Sequence, residues 1–184
     1  NKAVKIAAVI TIITMHTNPV VDRITIYPVK SLDGILLEKA QIGKGGSLVH
    51  DREYAIMNSN GKFVKGKNND LIYLLRSEVD LKNQTIAFRH ESANEWNQFH
   101  LQNDITAINE FLSAYFKMPV TLARNTEGEF LDIPVQSAVT VLSDASLKTV
   151  SNWFNDIDME ETRKRFRAAI EITGATAFWE DKLF

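Results

Sequence analysis

The chain has 184 residues, 45% of them hydrophobic and 24% charged, which is the balance of a globular protein and not of a disordered one. Its formal net charge of −2 excludes a nucleic-acid binder held by overall charge, while leaving room for a local basic patch that takes a small phosphate. It contains no cysteine, so these residues supply no disulfide, thiolate metal ligand, iron–sulfur ligation or cysteine nucleophile.

Residues 1–19 begin with Lys2 and Lys5 ahead of an apolar run, Ile6–Ile13. That run is far shorter than the roughly 20 residues of a membrane span. The segment reads as a leader or an extra strand, with a signal or anchor remnant as the alternative. From Val21 to Tyr27 the β-branched and aromatic content predicts a strand, interrupted by Pro28. Asp33-Gly34 predicts a turn, Ile35–Ile42 a second strand, and Gly43-Lys44-Gly45-Gly46 a flexible bend. Asp51–Met57 reads as a strand, and Asn58-Ser59-Asn60-Gly61 as a hairpin turn into Lys62–Lys65. Glu78–Leu81 and Gln84–Phe88 predict a further hairpin around Lys82-Asn83.

Two helices are expected. Asn103 or Asp104 can cap Ile105–Lys117, in which Ile105, Ile108, Phe111, Leu112, Tyr115 and Phe116 share one face, and Met118-Pro119 stops it. Val120–Ala123 and Ala138–Leu142 read as strands. Ser143 or Asp144 can cap a second helix running through Phe154, with Leu147, Val150, Trp153 and Phe154 on its buried side. Asp156–Arg167 runs from acidic to basic and leads into a strand, Ala168–Ile172, which Gly174 ends. The fold class is therefore α+β and mainly β, an antiparallel barrel or sandwich with one or two helices, and Asp132–Gln136 is the best boundary between two parts.

Three stretches carry a resemblance. Tyr27-Pro28-Val29-Lys30-Ser31 is followed by Gly34; His50-Asp51-Arg52-Glu53-Tyr54 by Gly61-Lys62-Phe63-Val64 and Gly66-Lys67; and Leu142-Ser143-Asp144-Ala145-Ser146-Leu147 by Arg165-Phe166-Arg167 and Glu180-Asp181. Together, in order and spacing, they resemble the MOSC family, which includes the mitochondrial amidoxime-reducing component and the C-terminal region of molybdenum-cofactor sulfurases. The resemblance implies an N-terminal β-barrel domain over residues 20–132 and the first part of a β-rich MOSC domain over residues 133–184. It also implies a molybdopterin-type molybdenum cofactor, and a role in reducing N-hydroxylated compounds or in carrying sulfur to the cofactor. By resemblance, Lys30, Ser31, Arg52, Ser143 and Arg167 map onto cofactor-contacting positions, with Lys67 added at a commonly basic position.

Chemistry supports those assignments, because a pterin phosphate calls for fixed cations and planar guanidinium forks. Each residue also has a plainer reading. Lys30 could be a solvated lysine at a strand end, Arg52 a surface ion pair with Asp51 or Glu53, Ser143 a helix cap only, and Arg163-Lys164-Arg165 with Arg167 a solvated basic face. No metal is expected among His16, His50, His90 and His100, whose spacing fits no zinc pattern.

The sequence departs from the family where an R-F-R-P-N motif becomes Arg165-Phe166-Arg167-Ala168-Ala169, and where the last residue, Phe184, precedes the segment that carries the family's metal-ligating cysteine. The chain thus reads as truncated and, alone, inactive at molybdenum. Two functions stay open: a cofactor-dependent enzyme or sulfur carrier, and a non-catalytic module that binds a pterin, a phosphate or a protein. The expected partners are the small-molecule cofactor, an electron-donor protein and, through unpaired strand edges, a second copy of the chain, with no nucleic acid and no membrane span. A cytoplasmic location is expected.

Overall fold

The computed structural model describes residues 18–126, 129–130 and 139–183. The leader reading of residues 1–17 and the proposed boundary at Asp132–Gln136 lie outside the described residues. Strands β1 (Val20–Ile26), β2 (Ile35–Leu37), β3 (Tyr54–Asn58), β4 (Leu75–Asp80), β5 (Thr85–His90) and β6 (Asn97–His100) come first. Helix α1 (Ile105–Phe116), strand β7 (Val120–Arg124), strand β8 (Val141–Ser143), helices α2 (Asp144–Ser151) and α3 (Met159–Phe166), and strand β9 (Ile170–Thr173) follow. The class is α+β and mainly β. Among the described residues the strands form three sheets, of order β2-β1-β9-β8, β3-β7 and β4-β5-β6, and not a closed barrel.

The first sheet joins the two ends of the described chain. Strand β1 pairs antiparallel with β9 from Val20↔Thr173 to Ile24↔Ile170, with a bulge between Val21 and Arg23. Strand β8 lies parallel to β9 on its other side, Val141↔Ile170 to Ser143↔Ile172. Parallel neighbours need a crossover, and α2 and α3 provide it.

Helix α1 buries Ile108, Leu112 and Phe116, spaced four apart on one face, against the main core of Tyr54, Ile56, Ile72, Leu75, Ile86, Phe88 and Leu122. Phe111 stacks on Phe88 at 5.7 Å between ring centroids. Asp104 takes the N-cap position, but its carboxylate accepts the His100 amide at 2.8 Å and caps nothing in the helix. A smaller core of Ile26, Leu48 and Ala169 lies under the first sheet.

Several boundaries differ from the sequence reading. Strand β2 ends at Leu37, and Ile42 keeps only an isolated bridge to Leu48. The Asn58 turn forms, with the Asn58 side chain accepting the Asn60 and Lys62 amides at 3.0 Å each. The return segment is limited to a bridge at Phe63. Helix α2 stops at Ser151, so Trp153 and Phe154 are 65% and 51% exposed and not buried. A turn in which the Trp153 amide bonds the Val150 carbonyl carries them to the surface, where Trp153 stacks on Phe178. Helix α3 was not expected, yet its signals are present: the Asp158 carboxylate caps the Glu161 amide at 2.7 Å, and the charges run acidic to basic along the helix dipole. Among the described residues no helix is long and apolar enough to cross a membrane.

Candidate functional site

The site starts from Tyr27-Pro28-Val29-Lys30, which leaves β1 and is fastened to the start of β3. The Tyr54 amide donates to the Pro28 carbonyl at 2.9 Å, and the Lys30 amide to the Tyr54 carbonyl at 2.8 Å. The turn before β3 is fastened to the same segment. Asp51 is buried and its carboxylate accepts the Tyr27 amide at 2.7 Å, while the Arg52 amide donates to the Tyr27 carbonyl at 2.8 Å. On the outer side of the turn, Glu53 lies 2.6 Å from both His50 Nδ1 and Arg124 Nε. These bonds hold Arg52 in a left-handed backbone, φ 52°.

Arg167 reaches the same point from the other end of the chain. It closes α3 in a left-handed conformation, φ 54°, and its Nη1 donates to the Leu32 carbonyl at 2.6 Å. Its guanidinium lies 3.9 Å over the Tyr27 ring, and that of Arg52 lies 5.9 Å from the same ring. Ser31 is also left-handed, φ 70°. Each such non-glycine residue costs on the order of 1 kcal/mol, and three of them facing one cleft is the kind of strain that collects at functional sites. Gly34 permits the arrangement by close approach: a Cβ there would meet Thr25 Cγ2 and Tyr27 Cε1, each at 2.7 Å. We expect Gly34→Ala to displace the Tyr27 ring and to lower unfolding stability by about 1–3 kcal/mol, read from the urea midpoint.

These groups open onto a cleft of about 1190 Å³. Its walls include Lys30, Ser31, Arg52, Lys67 and Arg167, so the structure brings together five of the residues singled out by sequence. Ser143 is not on the lining. It is 0% exposed and caps α2, accepting the Ser146 amide at 3.1 Å, while Ser146 Oγ accepts the Phe178 amide at 2.6 Å. Glu180 joins that cluster; burial opposes its ionisation, but hydrogen bonds from Ser146 and Ser143 win and hold its carboxyl below the usual range.

Lys30 is 6% exposed, with Nζ donating to the Phe130 carbonyl at 2.8 Å and lying 4.8 Å over the Phe63 ring, so it is not a solvated lysine. Arg52 does pair with Asp51, but the pair is largely buried and Glu53 is taken by Arg124. Arg163, Lys164 and Arg165 line the cleft, and Arg163 is anchored by Glu171, a buried carboxylate on β9, at 2.7 Å.

The lining carries ten basic side chains and four acidic ones, in a chain whose overall charge is −2. Positive charge is therefore concentrated here. Burial pushes the Arg167 guanidinium below its ordinary pKa, Tyr27 holds it up and Arg52 pushes it further down. Arg167 Nη2 is buried with no hydrogen-bond partner among the described residues. A buried, unpaired cationic donor beside a second guanidinium is relieved by an anion, which makes this end of the cleft suited to a phosphate oxygen.

Sequence reading missed Arg76, Tyr73 and Tyr27 as parts of the site. Tyr27 stood in the quoted motif; Arg76 is a lone basic residue on a strand, and its partner Asp33 lies far back in the chain, so no local pattern marks it.

The fold is β-rich and gathers segments from early and late in the described chain around a cleft lined mainly by basic side chains. The family model described as the MOSC N-terminal beta barrel domain matches residues 18–118, more than half of the chain, and the chain belongs to the MOSC family. Comparison with curated proteins finds no match.

Proposed function

We propose that the cleft binds the phosphate end of a molybdopterin-type cofactor, and that the chain serves in the reduction of N-hydroxylated compounds or in sulfur carriage to that cofactor. The observation that carries this reading is the buried, unpaired Arg167 Nη2 in a cleft with ten basic and four acidic side chains. Arg52 and Arg167 would grip the phosphate, and Ser31 would add a hydroxyl. Lys30, fixed by Phe130 and Phe63, would contribute a nearby charge, and Lys67 an outer one. When bound, the group supplies a redox-active or sulfur-bearing metal. The chain's own residues orient it and neutralise its charge. An electron-donor protein and a cytoplasmic location go with this reading.

A second reading is favoured by one observation: none of the 184 residues is cysteine, so the chain as given holds no thiolate for the metal. In that reading the same cleft binds a pterin or phosphate without redox chemistry. Both readings are tested by purifying the chain from cells that make the cofactor and quantifying released, oxidised pterin by fluorescence. About one equivalent is expected in the wild type, with most of it lost in Arg52→Gln. No pterin in the wild type would refute the first reading and the pterin form of the second. Molybdenum in equal amount supports the first reading, and pterin without molybdenum supports the second.

A further inference from the structure

The cleft has more positive charge than one phosphate can use. Ten basic and four acidic side chains line it, and two of the basic ones are already matched by carboxylates just behind the lining: Asp51 for Arg52 and Glu171 for Arg163. About four positive charges remain, against the −1.5 to −2 of a phosphate monoester at neutral pH.

Arg76 and Lys164 each have a carboxylate partner among the four acidic side chains, Asp33 and Glu161, so the surplus lies on their neighbours in the lining, and Arg76 is singled out by an unused donor. Arg76 projects from β4 into the cleft lining, with Nη1 donating to Asp33 Oδ1 at 3.0 Å and Nη2 to the Tyr73 carbonyl. Asp33 is fixed in turn, its other oxygen accepting the Ser77 amide at 2.9 Å. That leaves Arg76 Nε, which is buried and has no partner among the described residues, as the second unpaired guanidinium nitrogen in the cleft. Lys164 on α3 lines the cleft too, and Arg76 and Asp33 are among the charges that act on it. Asp33 also helps to hold the Arg167 guanidinium charged. Beside Arg76, the exposed Tyr73 ring lies over Gly66, where a Cβ would come within 1.9 Å of the Tyr73 hydroxyl. Glycine at that point leaves room for the phenol end of Tyr73.

We propose that Arg76 and Lys164, with the Tyr73 ring beside them, form a second anion subsite that takes a phosphoryl group on a molecule other than the cofactor. The proposal rests on the cofactor reading only in assigning the Arg52–Arg167 end to the cofactor's phosphate. The two ends are separable because each has its own orphaned guanidinium nitrogen and its own set of fixing bonds.

The test is calorimetric titration of the full chain with inorganic phosphate. The wild type is expected to bind two equivalents, Arg76→Gln and Arg167→Gly one each, and the double variant none. Arg76 also braces Asp33, so Lys164→Gln serves as a second variant. Its side chain is exposed and its ion pair with Glu161 is worth little to folding, yet it should weaken one of the two sites about 3- to 10-fold with an unchanged circular dichroism spectrum. A wild type that binds one equivalent, lost only in Arg167→Gly, overturns the second subsite and leaves the cofactor reading standing. Two equivalents retained in both Arg76→Gln and Lys164→Gln also overturn it. A site lost in Arg76→Gln with Arg167→Gly indistinguishable from wild type supports the subsite and counts against the cofactor reading. Phenyl phosphate distinguishes the sources: tighter binding than inorganic phosphate identifies an aromatic ester lying on Tyr73, and equal binding identifies the free ion.

Discussion

Replacing Arg167 with glycine is expected to weaken binding of a phosphate-bearing pterin about 10- to 100-fold while leaving folding stability within about 1 kcal/mol of wild type. Losing charge-assisted hydrogen bonds worth about 1.5–3 kcal/mol accounts for the affinity. The stability expectation follows from two opposed effects. The variant loses the bond to the Leu32 carbonyl and the contact with the Tyr27 ring. It gains because Arg167 is a left-handed helix-closing residue, the position at which glycine is the favoured choice. It also removes a buried cation with an unpaired nitrogen. Arg167→Lys should fail to restore affinity, since an ammonium cannot reproduce a planar fork over the ring. A variant whose stability and affinity fell together would make Arg167 a structural residue. The pair of readouts, urea midpoint and pterin affinity, decides between the two.

Asp51→Ala carries the largest expected stability effect. Asp51 is 3% exposed, and its two oxygens hold the Tyr27 amide and the Arg52 guanidinium. Removing the carboxylate leaves a partly buried cation and a buried amide without their partner, at a cost of about 3 kcal/mol. For a chain of this size that corresponds to a drop in melting temperature of roughly 6–12 °C. Asp51→Asn keeps an oxygen for the amide and should cost less. Burial raises the Asp51 pKa, with Arg52 and the Tyr27 hydrogen bond only partly opposing it. A raised folded-state pKa means that the native chain binds this proton more tightly than the unfolded chain does. The wild type should therefore gain stability relative to Asp51→Asn as pH falls through that raised value toward the ordinary carboxylate range. Unfolding curves for both proteins across that window check the sign. Glu180, whose pKa is lowered, works in the opposite direction and loses its contribution as pH falls through its folded value.

The parts of the fold legible in the sequence were those with a strong local period or stop. Helix α1 shows its face at Ile108, Leu112 and Phe116 and ends before Met118-Pro119, and the strand at Val120 begins where expected. Trp153 and Phe154 continue the apolar spacing of helix α2 past its end, and only tertiary structure shows that both turn outward and that Trp153 stacks on Phe178. Strand β6, Asn-Gln-Phe-His, has little β propensity of its own and exists because β5 offers it an edge. Helix α3 was hidden by its low apolar content, although Asp158 and the charge order announced it.

The candidate site was legible through motif resemblance more than through physics. Nothing local marks Arg52 and Arg167 as left-handed residues that meet at one cleft, because bonds that fix them come from distant residues: Tyr27 on Arg52 and Leu32 on Arg167. Arg76 was invisible for the same reason, since its role depends on Asp33 and on the neighbouring α3. Ser143 shows the converse. Its sequence context, a serine before an apolar helix, signals a cap, and capping is the role that its side chain has in the fold.

The most direct test of the phosphate anchor is to titrate the full chain with a pterin monophosphate and with the same pterin lacking the phosphate. The account predicts that the phosphate-bearing ligand binds at least about tenfold more tightly, and that Arg52→Gln removes most of that difference. Equal affinity for the two ligands, or a difference that survives in Arg52→Gln, would contradict it.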